Sequence, residues 1–250
     1  MPLDFSYAIA AAERDMGCKG IGTLHERTLH LALKYYFAPD GATHEQNVGG
    51  FIADAVTEDG VIEVQTRNFF RLKEKLAAFL QYCPVTVVYP IAETKWVVWV
   101  DNNGVVQSRR RSPKRESVYS AMGEIYSLRA FIGGCPLRFA LCRVEVEQYR
   151  CLNGYGKQKK VRGEHIDRVP LTLHDIVMLE TPADYLALLP DNLPMPFTAA
   201  EAANTAKCSE SDMRMLLNLL GQLDEVEKCG KRGRANLWQF TERGFDIMGR

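Results

Sequence analysis

The stretch FIADAVTEDGVIEVQT, residues 51–66, decides how this chain is read. Two short, β-branched runs, 51–57 and 61–66, flank Asp59-Gly60, a dipeptide that favours the tight turn of a β-hairpin. A two-residue loop at Asp59-Gly60 pairs Glu58 with Val61, and hence Val56 with Glu63 and Asp54 with Gln65. Side chains alternate between the faces of a strand, so Asp54, Glu63 and Gln65 share one face while Ile62 and Val64 take the other. A loop one residue longer would send Asp54 to the wrong side. The spacing therefore predicts a connection of even length.

Two carboxylates on neighbouring strands repel unless something neutralises them, and a hard divalent cation held by carboxylates, a carbonyl and waters does so. The pattern is Asp54, eight residues, then Glu63-Val64-Gln65. It resembles the PD-(D/E)XK nuclease superfamily, whose restriction-endonuclease-like fold carries an acid on one strand and (D/E)-x-K on the next. Gln65 stands where that motif has lysine, a departure some of its nucleases share. The solvated face of an ordinary hairpin is the competing reading of the same residues.

At 250 residues the chain accommodates one large domain and an appendage. Its 31 basic and 31 acidic side chains cancel, so any nucleic-acid footprint has to be local. No apolar run approaches the length of a membrane span, and the first residues lack a basic leader, which predicts a soluble, cytoplasmic protein with no membrane partner. Seven cysteines without a C-x-x-C pair read as reduced thiols.

Residues 5–15 read as an alanine-rich helix. From Thr23 the run TLHERTLHLALKYYF predicts an amphipathic helix with Glu26 and His30 one turn apart. His25 and His30 are five apart, which rules out the i, i+4 pair of a zinc-protease helix. A strand is expected at 44–48, its His44-Glu45 pair facing either the cleft or an edge. Residues 67–82 have helical periodicity, with Lys73 and Lys75 on the solvated side unless one turns inward; Lys73 and His30 are taken as lining the site. Strands follow at 85–90 and 95–101, then a helix at 118–131, a strand at 137–148 and helical chain from 171 to 189.

The densest basic cluster is RRRSPKR, with Arg109, Arg110, Arg111, Lys114 and Arg115; a second, around Lys157, Lys159 and Lys160, reads as a hairpin tip or arm. Such clusters hold phosphates through counterion release, or are simply solvated loops. Prolines 190, 194 and 196 mark a linker. Beyond it, a helix at 198–207, a second capped by Ser209 and two strands around a basic glycine-rich tip are similar to the winged-helix family. Lys231, Arg232 and Arg234 in that tip suit phosphate, but Glu210 and Asp212 open the second helix. Eight basic and eight acidic residues balance over 195–250, which favours a dimerising or auxiliary module over a major-groove reader.

Together these resemblances imply an α/β protein: a restriction-endonuclease-like mixed sheet flanked by helices over 1–190, and a small winged helix over 195–250. They imply a Mg²⁺- or Mn²⁺-dependent DNA endonuclease in which Asp54, Glu63 and the Val64 carbonyl hold the metal. Gln65 would orient the attacking water and Glu26 support a ligand water or second metal. The alternative is a nuclease-like fold that binds DNA or protein without cutting. A homodimer is compatible with either.

Overall fold

The computed structural model describes residues 4–17, 28–151 and 163–248, with side chains to Asp246. Helix α1 (Phe5–Met16), whose first turn is capped by the Asp4 carboxylate, packs beside α2 (Thr28–Phe37). Three antiparallel strands follow: β1 (His44–Val48), β2 (Phe51–Thr57) and β3 (Gly60–Val64). A 3₁₀ turn (Phe69–Leu72) leads into α3 (Lys73–Phe79), and then comes β4 (Val85–Val100), which runs parallel to β3. The predicted long helix over 67–82 is thus a 3₁₀ turn and a short helix.

The two strands expected at 85–90 and 95–101 are one strand of 16 residues. The step that looked like a loop, Ala92-Glu93-Thr94, is a bulge that the ladder absorbs without ending. On one edge β4 pairs over its full length with the parallel β6 (Leu137–Cys151). On the other it pairs first with β3 and then, from Trp96, with the antiparallel β5 (Val106–Arg111), so Arg109, Arg110 and Arg111 of the basic cluster are strand. Between β5 and β6 lies the short helix α4 (Met122–Ser127), flanked by 3₁₀ turns.

Residues 171–179, expected to be helical, belong to β7 (Glu164–Leu179), antiparallel to β6. A short apolar run such as LTLHDIVML fits a strand or a buried helix equally by periodicity, and pairing with β6 decides it. Only α5 (Pro182–Leu186) is helical there. The mixed seven-stranded sheet has the order β1-β2-β3-β4-β6-β7, with β5 attached to β4. The outermost strand β7 carries three register shifts against β6, and Pro170 interrupts its donors.

Helices cover both faces. On one, Ile62, Val64, Val88, Ala140, Cys142 and Val144 pack under α1 and α2, and the Thr28 hydroxyl donates to the buried Asp167 carboxylate of β7. On the other, Val61, Val87, Phe139 and Leu141 meet α3, α4 and α5. The remaining chain is β8 (Phe197–Thr198), α6 (Ala199–Ala206), α7 (Glu210–Gln222), β9 (Val226–Arg232), β10 (Ala235–Phe240) and α8 (Glu242–Met248). Thr198 and Ser209 cap α6 and α7 as their sequences suggest, and β8, β10 and β9 form a small antiparallel sheet. The tail does not stand apart: Met213, Leu216, Leu217 and Leu220 of α7 belong to the same continuous core as Met122 and Ile125 of α4. Among the described residues no helix is long and apolar enough to cross a membrane, and the six described cysteines are free thiols.

Candidate active site

Every residue of β3 is buried, because helices lie on both faces of the sheet there. Glu63 is therefore a carboxylate set into an apolar strand, only 4% exposed. The hairpin connection is even in length, as predicted, but it is Glu58-Asp59, with Thr57 paired to Gly60 and Ala55 to Ile62. Gly60 takes φ of +114°, and a Cβ there would lie 2.2 Å from the Pro84 carbonyl oxygen; the turn is fixed by that close approach as much as by the Asp-Gly signal. The ladder ends at Ala55 and Ile62; Asp54 and Glu63 are the next residues on the two strands, and Asp54 turns its carboxylate to the Val64 amide.

The two acids meet different partners. Asp54 Oδ2 accepts the Val64 amide at 2.8 Å and lies 3.2 Å from His30 Nε2 of α2. Glu63 Oε1 accepts from Lys75 Nζ of α3 at 2.6 Å, while its Oε2 is buried with no hydrogen-bond partner among the described residues. Burial, the largest influence, pushes the Glu63 carboxyl up, and the Asp54 charge adds to it; against the pull of Lys75 the result is about 7. Burial pushes Asp54 up too, but the His30 hydrogen bond and charge, the Val64 amide and the Lys75 charge together hold it below the usual carboxylate range. The pair thus splits into a ready anion and a carboxyl poised near neutrality, a separation that marks functional sites.

A third acid extends the row. His44 pairs with Ala55 and Gln46 with Ala53, which places Glu45, at φ of +52°, across from Asp54. Glu45 Oε1 accepts from Lys34 Nζ at 2.7 Å, and Lys34 is itself buried. Glu45, Asp54 and Glu63 on three adjacent strands are each met by a base from a helix, Lys34, His30 and Lys75 respectively. Lys34 and its partnership with Glu45 were not foreseen; its i, i+4 spacing from His30 was the available signal.

The other expected residues fall as follows. Gln65 turns its amide to the Arg67 carbonyl at 2.5 Å, not to the acid pair. The loop behind it is pinned by the Glu124 carboxylate, which accepts the amides of Asn68 and Phe69. Lys73 lies over the Phe70 ring, 4.4 Å from its centre, so Lys75 is the lysine at the site. Glu26, Lys157, Lys159 and Lys160 lie outside the described residues. Arg109 donates to Glu147 at 2.6 Å and stacks 3.9 Å over Trp96, and Arg111 donates to Thr94. Arg232 is paired with Glu201, whereas Arg110, Lys114, Arg115, Lys231 and Arg234 are exposed.

The donor set suits a hard cation: two carboxylates on adjacent strands, one oxygen of which is orphaned in the core. Among the described residues, no group of three or more His, Cys, Asp or Glu side chains converges to hold a metal. Protein ligation would accordingly rest on the pair, with backbone oxygen and water completing it.

An uncharacterized protein of Treponema pallidum (strain Nichols) is 29% identical over 225 residues, 90% of this chain and 89% of that protein. No solved structure matches the chain. The model of a domain of unknown function, DUF8091, matches residues 27–180, which span the acid row, its partner bases and the whole large sheet, and the chain belongs to that family.

Proposed function

We propose that this protein is a metal-dependent DNA endonuclease with a restriction-endonuclease-like core over 1–190 and a C-terminal winged helix over 195–250, acting in the cytoplasm. The observation that carries this reading is Glu63: a buried carboxylate with one oxygen on Lys75 and the other without a hydrogen-bond partner among the described residues, near a second carboxylate on the next strand. Burying such a group costs stability, and a cation between Glu63 and Asp54 removes that cost.

Asp54, Glu63 and the Val64 carbonyl would hold Mg²⁺ or Mn²⁺. The ion, when bound, lowers the pKa of a water and stabilises charge on a scissile phosphate. His30 holds the Asp54 carboxylate in one orientation. Lys75 Nζ, 2.6 Å from Glu63, brings to the strand the positive charge that the Gln65 amide lacks. Gln65 itself, tied to Arg67, shapes the loop after β3 and contacts water only if it lets go of that carbonyl. Glu26 keeps its expected supporting role. The second reading, a DNA-binding or regulatory module that does not cut, is favoured by that same engagement of Gln65; the tail would serve it as a protein-contact or dimer surface.

Supercoiled plasmid incubated with Mg²⁺ or Mn²⁺ tests the reading. Nicking is expected, and Glu63→Ala should abolish it. Titration calorimetry should show Mn²⁺ binding to the wild type and none to Glu63→Ala. Equal cleavage by the two proteins, or Mn²⁺ binding indifferent to Glu63, overturns the proposal.

A further inference from the structure

Register sorts the arginines of β5 onto two faces. Arg109 pairs with Val98 and Arg111 with Trp96, and both side chains are spent on protein partners. Arg110 pairs with Val97, so it shares a face with Lys95, Val97 and Trp99 of β4. The parallel ladder to β6 aligns Val97 with Gln148 and Trp99 with Arg150, and the Arg150 guanidinium lies 5.9 Å from the centre of the Trp99 ring. The face assembled in this way carries Arg110 and Ser108, which are exposed, Lys95, Val97, Trp99 and Arg150, which are half-buried, and the buried Gln148. It holds no acid from β4, β5 or β6.

Lys95 and Arg110 make no side-chain hydrogen bond or ion pair with another described residue, and Arg110 is exposed. Arg150 is held by the indole and by the Gln148 amide, whose oxygen faces the guanidinium at 3.0 Å when suitably oriented. The bulge at Glu93 puts this face in line with Val88 and Ala92, on the α1 and α2 side of the sheet. Glu63, aligned with Val87, takes the α3 side. Counting along β4, the patch is on the order of 30 Å beyond the acid pair. It is a second surface, separate from the candidate active site.

We infer that this face of the β5-β4-β6 arm is a docking site for the phosphate backbone of duplex DNA, with Arg110, Lys95 and Arg150 as its contacts. Charge complementarity argues for a polyanion: β4, β5 and β6 bring three cations and no anion to this face, and Asp167 of the neighbouring β7 is buried and bonded to Thr28, on a protein whose net charge is zero. Arg110 and Arg150 stand on strands two apart, so their attachment points are about 10 Å from each other, a flat spacing that suits backbone contacts. The ring of Trp99 is covered by Arg150 and packs so closely beside Gly163 that a Cβ there would lie 2.2 Å from it. No bare aromatic platform is left for unstacked bases, which favours a duplex over a single strand. The choice of DNA rests on the proposed nuclease reading; the patch itself does not.

Fluorescence anisotropy with a labelled 20-base-pair duplex, full-length protein and EDTA tests the inference apart from any cleavage. Three phosphate contacts give a log–log salt slope of about −2.7, and Arg110→Gln should bring it toward zero by about 1. Lys95→Gln/Arg110→Gln/Arg150→Gln should weaken binding at least tenfold in low salt, whereas Arg109→Gln, whose side chain is tied to Glu147 and Trp96, should bind as the wild type does. Circular dichroism melts check that the variants are folded; the exposed Arg110→Gln alone suffices if the triple variant is not. Unchanged affinity in Arg110→Gln, equal loss in Arg109→Gln, tighter binding of a 20-nucleotide single strand, or salt-sensitive capture by phosphatidylglycerol vesicles with no DNA binding would each overturn it. DNA binding that depends on Arg110 without any nicking would uphold the patch and end the nuclease reading.

Discussion

Replacing Glu63 by glutamine should make the protein more stable at neutral and alkaline pH. The carboxyl titrates at about 7 in the folded chain against 4.5 when unperturbed, because it is buried beside Asp54. Between those values the folded state holds a proton that the unfolded state has lost, so stability falls as pH rises through the window and levels off above about 7. A gap of about 2.5 pH units corresponds to roughly 3 kcal/mol. Glu63→Gln removes the titration and keeps a hydrogen-bonding group beside Lys75, which at 24% exposure reaches water. Urea unfolding at pH 5, 6, 7 and 8 should show the wild type losing about 2 to 3 kcal/mol relative to the variant across the series, and Mn²⁺ at saturating concentration should restore much of it to the wild type alone. Parallel stability profiles for the two proteins would refute the reasoning, since they would mean that Glu63 is not a strained carboxylate.

His30→Ala should raise the Asp54 carboxyl, seen by carbon-detected NMR titration, and cost about 1 kcal/mol at pH 7 through the lost hydrogen bond; an unmoved titration would detach α2 from the site. Gly60→Ala combines a φ of +114° with a 2.2 Å approach to the Pro84 carbonyl, so a loss of about 3 kcal/mol or more is expected in a thermal melt. A chain ending at residue 190 should lose its cooperative unfolding transition, because α7 supplies part of the core under α4; a fragment that melts sharply on its own would contradict this.

The hairpin itself was legible: an even connection was expected and is found, although Glu58-Asp59 rather than Asp59-Gly60 forms it and the register moves by two. The choice between Lys73 and Lys75 was not legible. Both stand on the polar side of one periodic run, and only the structure shows Lys73 laid over the Phe70 ring and Lys75 brought to Glu63. The continuity of β4 was hidden because a bulge and a loop present the same polar interruption. In β7 an apolar run of mixed character found a partner strand 27 to 40 positions upstream, from Thr172 with Glu145 to Leu179 with Phe139, and became extended chain, which local pattern alone does not reveal. The tail helices were plain from their caps and spacing, but their burial against α4 depends on contacts far apart in the sequence.

The irregular outer strand has a bearing on how the molecule behaves in company. A straight border of free amides and carbonyls invites a neighbour to zip onto it, yet here the ladder slips at three places and a proline removes one donor. Another chain could follow that border for only a few residues before its own groups fell out of step. Concentrated solutions of this protein should therefore be spared fibre-like stacking along β7.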